Sequence, residues 1–330
     1  MSEKENPKSS PGTKVRFVEV DDGSDGQRID NFLMRELPGV PKSRIYRMLR
    51  KGEVRVNKGR VKPAGRVHTG DTVRVPPVNI NESETPSVPR GLMRALEEAV
   101  LFEDRDLLVI NKPGGIAVHG GSGLSFGVVE AMRAAKPDWS ELSLAHRLDR
   151  ETSGALVMAK RRSALRRLHE AFREDQVAKV YMAMVDGYWE HGSKTIDLPL
   201  AVHHRRNGER HVQVSPDGKP SITRVAPNEA RREASLLTLR PQTGRTHQIR
   251  VHLAHMGHPI AGDARYGEKT RNSEFAKDGL KRLFLHAQSI SFDDGGGREQ
   301  TFSAPLPDDL QVYMEQVIAR KSVTAVRRRR

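Results

Sequence analysis

The sequence predicts an α+β protein in two parts: a small basic unit of two helices and a hairpin, then a larger domain built on a mixed or antiparallel sheet. Three observations point there. At 330 residues the chain is longer than one small domain needs and suits a large core with a satellite. Its net charge of +14 is segregated: residues 27–76 hold 13 Lys and Arg against 4 Asp and Glu. Residues 320–330 hold 6 against none and residues 1–26 hold 4 against 6, which leaves 77–319 near neutral at 33 against 32. Beyond about residue 95, strand-like and helix-like apolar patterns alternate.

Composition narrows the function classes. No run approaches 18 apolar residues, so no membrane span is expected. The opening "MSEKENPKSSPGT" has no apolar core, so no secretory signal is expected. With no cysteine there is no disulfide framework, thiolate metal site or cysteine nucleophile, and a cytoplasmic location fits. The compact basic segment points to a nucleic acid as partner. An anionic membrane is disfavoured, because no amphipathic helix with a bulky apolar face accompanies the charge.

Residues 1–26 read as an extension, disordered over its polar first 13 residues. In "QRIDNFLMREL", Ile29, Phe32, Leu33 and Leu37 recur at helical spacing. "PKSRIYRMLRKGEV" is a second helix, with Ile45, Met48 and Leu49 as its buried stripe and Gly52 as its stop. "VRVNKGRV" alternates around an Asn-Lys-Gly turn, and "GDTVRVP" completes a small sheet. Two helices followed by such a sheet over residues 27–76 resemble the S4 RNA-binding domain. Lys42, Arg44, Arg47, Arg50, Lys51, Arg55 and Lys58 are its candidate RNA contacts, suited to tracking phosphates rather than reading bases.

Residues 77–94, within the stretch "PPVNINESETPSVPRG", read as a linker rich in Pro, Asn, Ser and Glu. A catalytic domain is expected over 95–315 and a disordered basic tail over 316–330. "LLVINKP", "GALVMAK", "KVYMAMVDG", "ASLLTLRP" and "HQIRVHL" read as strands, and "RSALRRLHEAFRED" as a helix. "INKPGGIAVHGGSG" matches no phosphate-cradling pattern and reads by default as a flexible loop, with a role in lining the active-site cleft as the alternative. No internal repeat is evident.

Chemistry concentrates around "LAHRLDRETSG" (144–154), where Asp149 stands between Arg147 and Arg150. Ser153 lies nearby, but no nucleophile elbow surrounds it. A glycosidase needs two facing carboxylates, and this stretch offers one acid among arginines. His247, His252, His255 and His258 crowd together without a metal-ligand pattern, and in an extended segment His247 and His252 point to opposite faces. A metal is therefore not expected. Cations beside a carboxylate favour its charged form, which suits a nucleophile or base better than a proton donor.

Three ordered stretches then combine: "HRLDRETSG" (146–154), "KVYMAMVDG" (179–187) and "GRTHQIRVHLAHMGHPIAGDARYG" (244–267). With "NKPGGIAVHGGSGLSFGV" (111–128) and "RLFLHA" (282–287), they resemble the RluA family of pseudouridine synthases over about residues 98–312. The resemblance implies isomerisation of uridine in RNA to its C-glycoside, without cofactor or metal, on large-subunit ribosomal RNA; a monomer is expected. It places the family's acid at Asp149, its active-site tyrosine at Tyr181, the arginine that pairs with the acid at Arg250, and an aliphatic contact at Ile249. Arg147 falls where the family holds the flipped nucleotide.

Physical roles follow. A uridine inside structured RNA must be extruded to expose its reacting atoms. Tyr181 and Ile249 can face its planar base, and Arg147 can fill the vacated stack. Arg250 can hold Asp149 bidentately, and the Tyr181 hydroxyl is a candidate base for late proton removal from C5. His146, Arg245 and His247 complete the candidate substrate contacts. Three alternatives stand beside this reading: a related synthase acting on another ribosomal or transfer RNA site, a noncatalytic S4-type ribosome-binding protein, and an RNA glycosylase. A pure binder does not need Asp149, Tyr181 and Arg250 in these contexts, and a glycosylase calls for a second, water-activating carboxylate.

Overall fold

The computed structural model describes residues 15–37, 40, 42–78, 88–120, 126–204, 210–230, 233–293 and 295–327. The expectation of disorder over residues 1–13 lies outside them. Tertiary contacts divide the chain into two units, residues 1–87 and 88–330. Among the described residues no helix is long and apolar enough to cross a membrane.

In the first unit, β1 (Arg16–Glu19) precedes α1 (Ile29–Glu36) and α2 (Lys42–Lys51), and β2 (Arg55–Val56), β3 (Gly59–Arg60) and β4 (Thr72–Val75) follow. The sheet runs β1-β4-β2-β3, antiparallel throughout. Strand β1 is new relative to the sequence reading, which left residues 16–19 in the extension; its pairing to β4 makes them part of the sheet. Ile29, Phe32 and Leu33 of α1 pack with Ile45, Met48 and Leu49 of α2 over Val54, Val73 and Val75. Each such burial contributes about 1.5–3 kcal/mol. After α2, the Gly52 N–H bonds the Leu49 carbonyl and the Glu53 N–H bonds the Met48 carbonyl, a closure that requires the left-handed φ of +71° at Gly52. Asn57 and Lys58 both have positive φ and turn the β2–β3 hairpin. Asp30 joins the two helices: Arg28 grips both its oxygens and the Tyr46 hydroxyl donates to it at 2.6 Å. Burial opposes the Asp30 charge, but Arg28 and Tyr46 outweigh it and hold the carboxyl low.

The second unit starts with α3 (Arg90–Glu98), so the end of the expected linker is helical. Then come β5 (Val100–Glu103), β6 (Leu107–Lys112), α4 (Val128–Ala135), β7 (Ser143–Leu144), β8 (Ser153–Ala159), α5 (Arg162–Arg173) and β9 (Ala178–Asp186). An excursion follows through β10 (Lys194–Asp197), β11 (Leu200–His204) and β12 (Arg210–Val214). The chain continues through β13 (Ile222–Ala230), β14 (Ala234–Pro241), α6 (Gln248–His255), α7 (Lys269–Lys277), β15 (Leu285–Asp293), β16 (Glu299–Ser303) and α8 (Asp308–Arg327). The large sheet runs β10-β13-β14-β9-β15-β8-β6-β5, with β16 beside β15, β7 beside β8, and β11–β12 a separate hairpin. Only β15 and β8 pair in parallel among these described strands, so the sheet is mixed, as expected.

Two sequence expectations change. "HQIRVHL" is α6 rather than a strand: Ile249, Val251 and Leu253 bury in helical form, Ile249 and Leu253 in the core with β9 and β14 and Val251 against Leu200 and Val212. The C-terminal tail continues α8 as far as Arg327 instead of lacking structure. The core lies on both faces of the sheet. Leu253 of α6, Phe275 of α7 and Leu310 of α8 pack on β9 and β14, while Leu96, Met132 and Trp139 pack on β6 and β8. Leu168 of α5 packs with Val157 and Ile290.

Candidate active site

Asp149 sits in the loop between β7 and β8, at the wall of a cleft of about 580 Å³. The loop is held on both sides. Thr152 N–H bonds the Asp149 carbonyl at 3.1 Å. The Gly115 N–H donates to the Arg150 carbonyl at 2.9 Å, and Arg150 Nε returns a bond to the Gly115 carbonyl. Lys112 is fully buried and donates to the carbonyls of Pro113, Ile116 and Arg150 at 2.7, 2.8 and 3.1 Å. Burial pulls its pKa down to about 7, yet three acceptors use all three N–H groups of the ammonium, and that geometry favours the charged form. The described part of the glycine-rich segment is thus a strut for the Asp149 loop rather than a flexible loop; residues 121–125 lie outside the described residues.

Directly after the loop, β8 must approach β15 closely. A Cβ on Gly154, whose φ is +117°, would collide with the Ala287 carbonyl. Ser153 is buried beside this contact, donates to His286 Nδ1 at 3.0 Å and accepts from Arg282. His286 in turn donates from Nε2 to the Ala304 carbonyl. The pair is a closed structural relay with no exposure, so a serine-nucleophile reading has no support.

The partner of Asp149 comes from α6. Arg250 Nη1 donates to Asp149 Oδ2 at 3.2 Å, while its Nε and Nη2 both bond Asp263 at 2.8 Å. The expected bidentate grip on Asp149 is therefore corrected: the fork closes on Asp263, and Asp149 receives one bond. Asp263 wins because it is buried and preset, its Oδ1 also accepting the N–H groups of Arg265 and Tyr266. Burial opposes both charges. Arg250 nevertheless holds Asp263 low, and Asp263 and then Asp149 raise Arg250. The guanidinium also stacks 5.1 Å from the Tyr266 ring centre.

The start of α6 is fixed by Gln248. Its side-chain oxygen accepts from the Thr243 hydroxyl and the Arg245 N–H, and its nitrogen donates to the Ile222 carbonyl and Thr223. His247, at the helix start, adopts a left-handed φ of +52°, an uncommon state for a side chain of its size. Its Nδ1 lies 2.8 Å from the Tyr266 hydroxyl and its Nε2 lies 3.8 Å from Asp149. Burial lowers the His247 pKa despite the opposing pull of Asp149. Asp263 and Gln248 were not singled out from sequence; a carboxylate and an amide in the same motif stretch as Arg250 were the available signal.

Strand β9 supplies the opposite wall. Tyr181 and Lys179, two apart, share the face that lines the cleft with Leu148, Ile249 and Leu285. Burial, with a smaller push from Asp149, raises the Tyr181 pKa, so the ring stands there as a neutral phenol. Arg147 and Arg245 are exposed at the cleft, and Arg245 Nε bonds the Pro220 carbonyl. His146 lines the cleft but commits its Nε2 to the Val157 N–H at 3.0 Å and packs on Phe172. Burial takes its pKa to about 3, consistent with an unprotonated acceptor. Asp149, Tyr181, Arg250, Ile249, Arg147, His146, Arg245 and His247 thus converge on one cleft.

The basic candidates Lys42, Arg44, Arg47, Arg50, Lys51, Arg55 and Lys58 belong to the first unit. The side chain of Lys42 lies outside the described residues; Arg47, Arg50, Lys51 and Lys58 are exposed, and Arg44 and Arg55 half-buried. Among the described residues the one cluster of three metal-ligating groups, Glu190, His191 and His258, is not part of the cleft.

Comparison with known proteins agrees with this architecture. An RNA pseudouridylate synthase family model matches residues 106–255, and an S4 domain model matches residues 27–73. The chain is 50% identical over 311 residues to "Ribosomal large subunit pseudouridine synthase C" of Pasteurella multocida, covering 93% of this chain and 95% of that protein. It is 49% identical over 313 residues to the protein of the same name from Escherichia coli K12, covering 93% and 98%. The solved structure of human RNA Pseudouridylate Synthase Domain Containing 4 superposes with a TM-score of 0.57 at 26% identity, over 68% of this chain and 95% of that one. With these matches spanning nearly the whole length, the chain belongs to the RluA-type RNA pseudouridine synthases that carry an S4 domain.

Proposed function

We propose that this enzyme converts uridine to pseudouridine in large-subunit (23S) ribosomal RNA, with Asp149 as the group that acts on the sugar. The observation that carries the chemistry is a cleft carboxylate, Asp149, tethered by one bond from an arginine that is anchored elsewhere. The substrate follows from the names of relatives that share half the residues over most of the chain. In this reading the extruded uracil lies against Tyr181 and Ile249, and Arg147 fills the space it left. The N1–C1′ bond breaks, the uracil turns, C5 bonds C1′, and the C5 proton leaves as N1 takes one up, so the net change is an isomerisation. Tyr181 keeps its own proton too firmly to serve readily as the base for that last step. Its role here is the aromatic wall.

The S4-like unit over 27–76 captures RNA, and the domain over 95–315 performs the isomerisation. We infer that the enzyme acts as a monomer, and a cysteine-free chain acting on ribosomal RNA fits the cytoplasm. The test is Asp149→Ala. Pseudouridine formation in a ribosomal RNA fragment, read by nucleoside chromatography, is expected to vanish, while RNA affinity changes less than about threefold, an energy below about 1 kcal/mol. Turnover comparable to the unsubstituted enzyme would overturn the assignment. Mapping ribosomal pseudouridines in cells lacking the gene tests the substrate: no missing site in large-subunit RNA would redirect the proposal to another RNA.

A further inference from the structure

Strand β9 and helix α6 carry Tyr181 and Arg250 into the cleft, and past their C-terminal ends the chain places a second constellation. Glu190 and His191 lie in the turn after β9, and His258 lies in the loop after α6. One ligand atom from each falls within 4.8 Å of the others. We propose that Glu190, His191 and His258 bind a divalent transition-metal ion of the zinc class, which ties the end of β9 to the end of α6.

Four features support a built site. The distances fit: His258 Nε2 lies 3.1 Å and His191 Nε2 3.6 Å from the two Glu190 oxygens. A tetrahedral ion with bonds of about 2.0–2.2 Å sets ligand atoms roughly 3.3–3.5 Å apart. The tautomer of His258 is set, because its Nδ1 lies 3.0 Å from the Asp186 carbonyl, which can only accept. A neutral ring so bonded presents its Nε2 lone pair to the ion, the arrangement typical of metal-ligating imidazoles. His191 Nε2 is buried and has no hydrogen-bond partner among the described residues, a state that calls for an explanation. An ion supplies it.

The backbone around these side chains is also held. Trp189 is buried beneath both imidazoles, with ring centres 4.9 Å from His191 and 5.1 Å from His258. Its N–H bonds Ser235, whose hydroxyl bonds the Gly187 carbonyl, and its indole bonds the Gly192 carbonyl. On the other side the Asp186 N–H bonds the Pro259 carbonyl. The Asp186 carboxylate is gripped by Arg271 and does not compete as a ligand. Two imidazoles and one carboxylate leave a fourth corner for water and favour zinc over the oxygen-seeking magnesium or calcium. The competing explanation is an ordinary ion-pair cluster of Glu190 with protonated His258 and His191, which needs no metal ion but leaves His191 Nε2, at 3.6 Å, without a hydrogen bond.

The experiment titrates the chelator-treated full-length protein with Co2+ and reads visible d–d absorption, then displaces it with Zn2+. One equivalent giving an intense tetrahedral band is expected, with loss of the band in Glu190→Ala, whose exposed side chain can be removed without disturbing the core, and in His258→Ala. His255→Ala, an exposed histidine nearby, is expected to keep it. Zinc at about 100 times its dissociation constant is expected to raise the thermal midpoint by about 5 °C or more, and to have no such effect on Glu190→Ala. Absence of saturable one-equivalent binding, or a band unchanged in the Glu190 and His258 variants, overturns the site.

Discussion

Arg250 serves two carboxylates, and how it divides itself shapes the site. Asp263 takes the rigid two-bond grip and Asp149 takes one longer bond. The arginine is thereby anchored by a residue outside the cleft lining, and gives Asp149, which lies in that lining, a single bond. Asp263→Asn removes the anchoring charge and is expected to lower kcat by about 10- to 100-fold, the scale of a roughly 1 Å misplacement, with KM little changed. Single-turnover kinetics would show it, and unchanged kcat would mean the anchor is dispensable. Asp149 and Arg250 were legible from their motifs, but the two-to-one sharing was not, since it depends on which acid the turn at 260–266 buries. His146 gives a second prediction at this scale. Its folded pKa near 3 lies below the ordinary value of 6.5, so between those values the unfolded chain binds a proton the folded protein refuses. Stability is therefore expected to fall as pH drops from about 6.5 toward 3, with His252 and His286, also lowered by burial, adding to the loss. His146→Gln can accept the same Val157 bond and is expected to flatten the thermal midpoint against pH in that window.

At the scale of elements, the Asp149 loop depends on struts from outside its motif. Lys112 at the end of β6 satisfies three carbonyls, one of them Arg150, next to the acid. Lys112→Met leaves them without that donor and is expected to cost about 2–4 kcal/mol of stability, measured by denaturant unfolding, and to lower kcat as well. Gly154 lets β8 run against β15; Gly154→Ala adds a collision to a positive φ and is expected to cost about 2–5 kcal/mol. The strands at 107–112, 153–159, 178–186 and 234–241 were legible because central strands are apolar on both faces. "HQIRVHL" misled for a related reason. Its buried polar groups, Gln248, Arg250 and His252, interrupt the apolar period of a helix and leave an alternation that looks like a strand. Gln248 and Arg250 line the cleft, and His252 is satisfied by Thr223 and the Leu198 carbonyl.

Across the whole molecule, the compact basic segment and the cleft occupy different units. Residues 27–76 of the first unit hold 13 Lys and Arg against 4 Asp and Glu, and the second unit, near neutral before its basic end at 320–330, carries the cleft. Arg47, Arg50 and Lys51 are exposed on α2. Replacing all three by Ala is expected to reduce the slope of log K against log salt by about 2 in RNA binding, from about 0.7 per lost phosphate contact on single strands. Turnover at saturating RNA is expected to stay the same; an unchanged slope would remove α2 from the phosphate-tracking surface. The sequence by itself determined the two-part organisation, the basic first unit, most strands and the acid, because apolar period, charge and motif spacing are local properties. Only the tertiary structure decided that β1 completes the first sheet, that Asp263 rather than Asp149 closes the arginine fork, and that His258 meets Glu190 and His191 from 68 and 67 residues earlier. Each of those outcomes depends on which distant side chain is desolvated against which, and desolvation is settled only when the chain has closed around it.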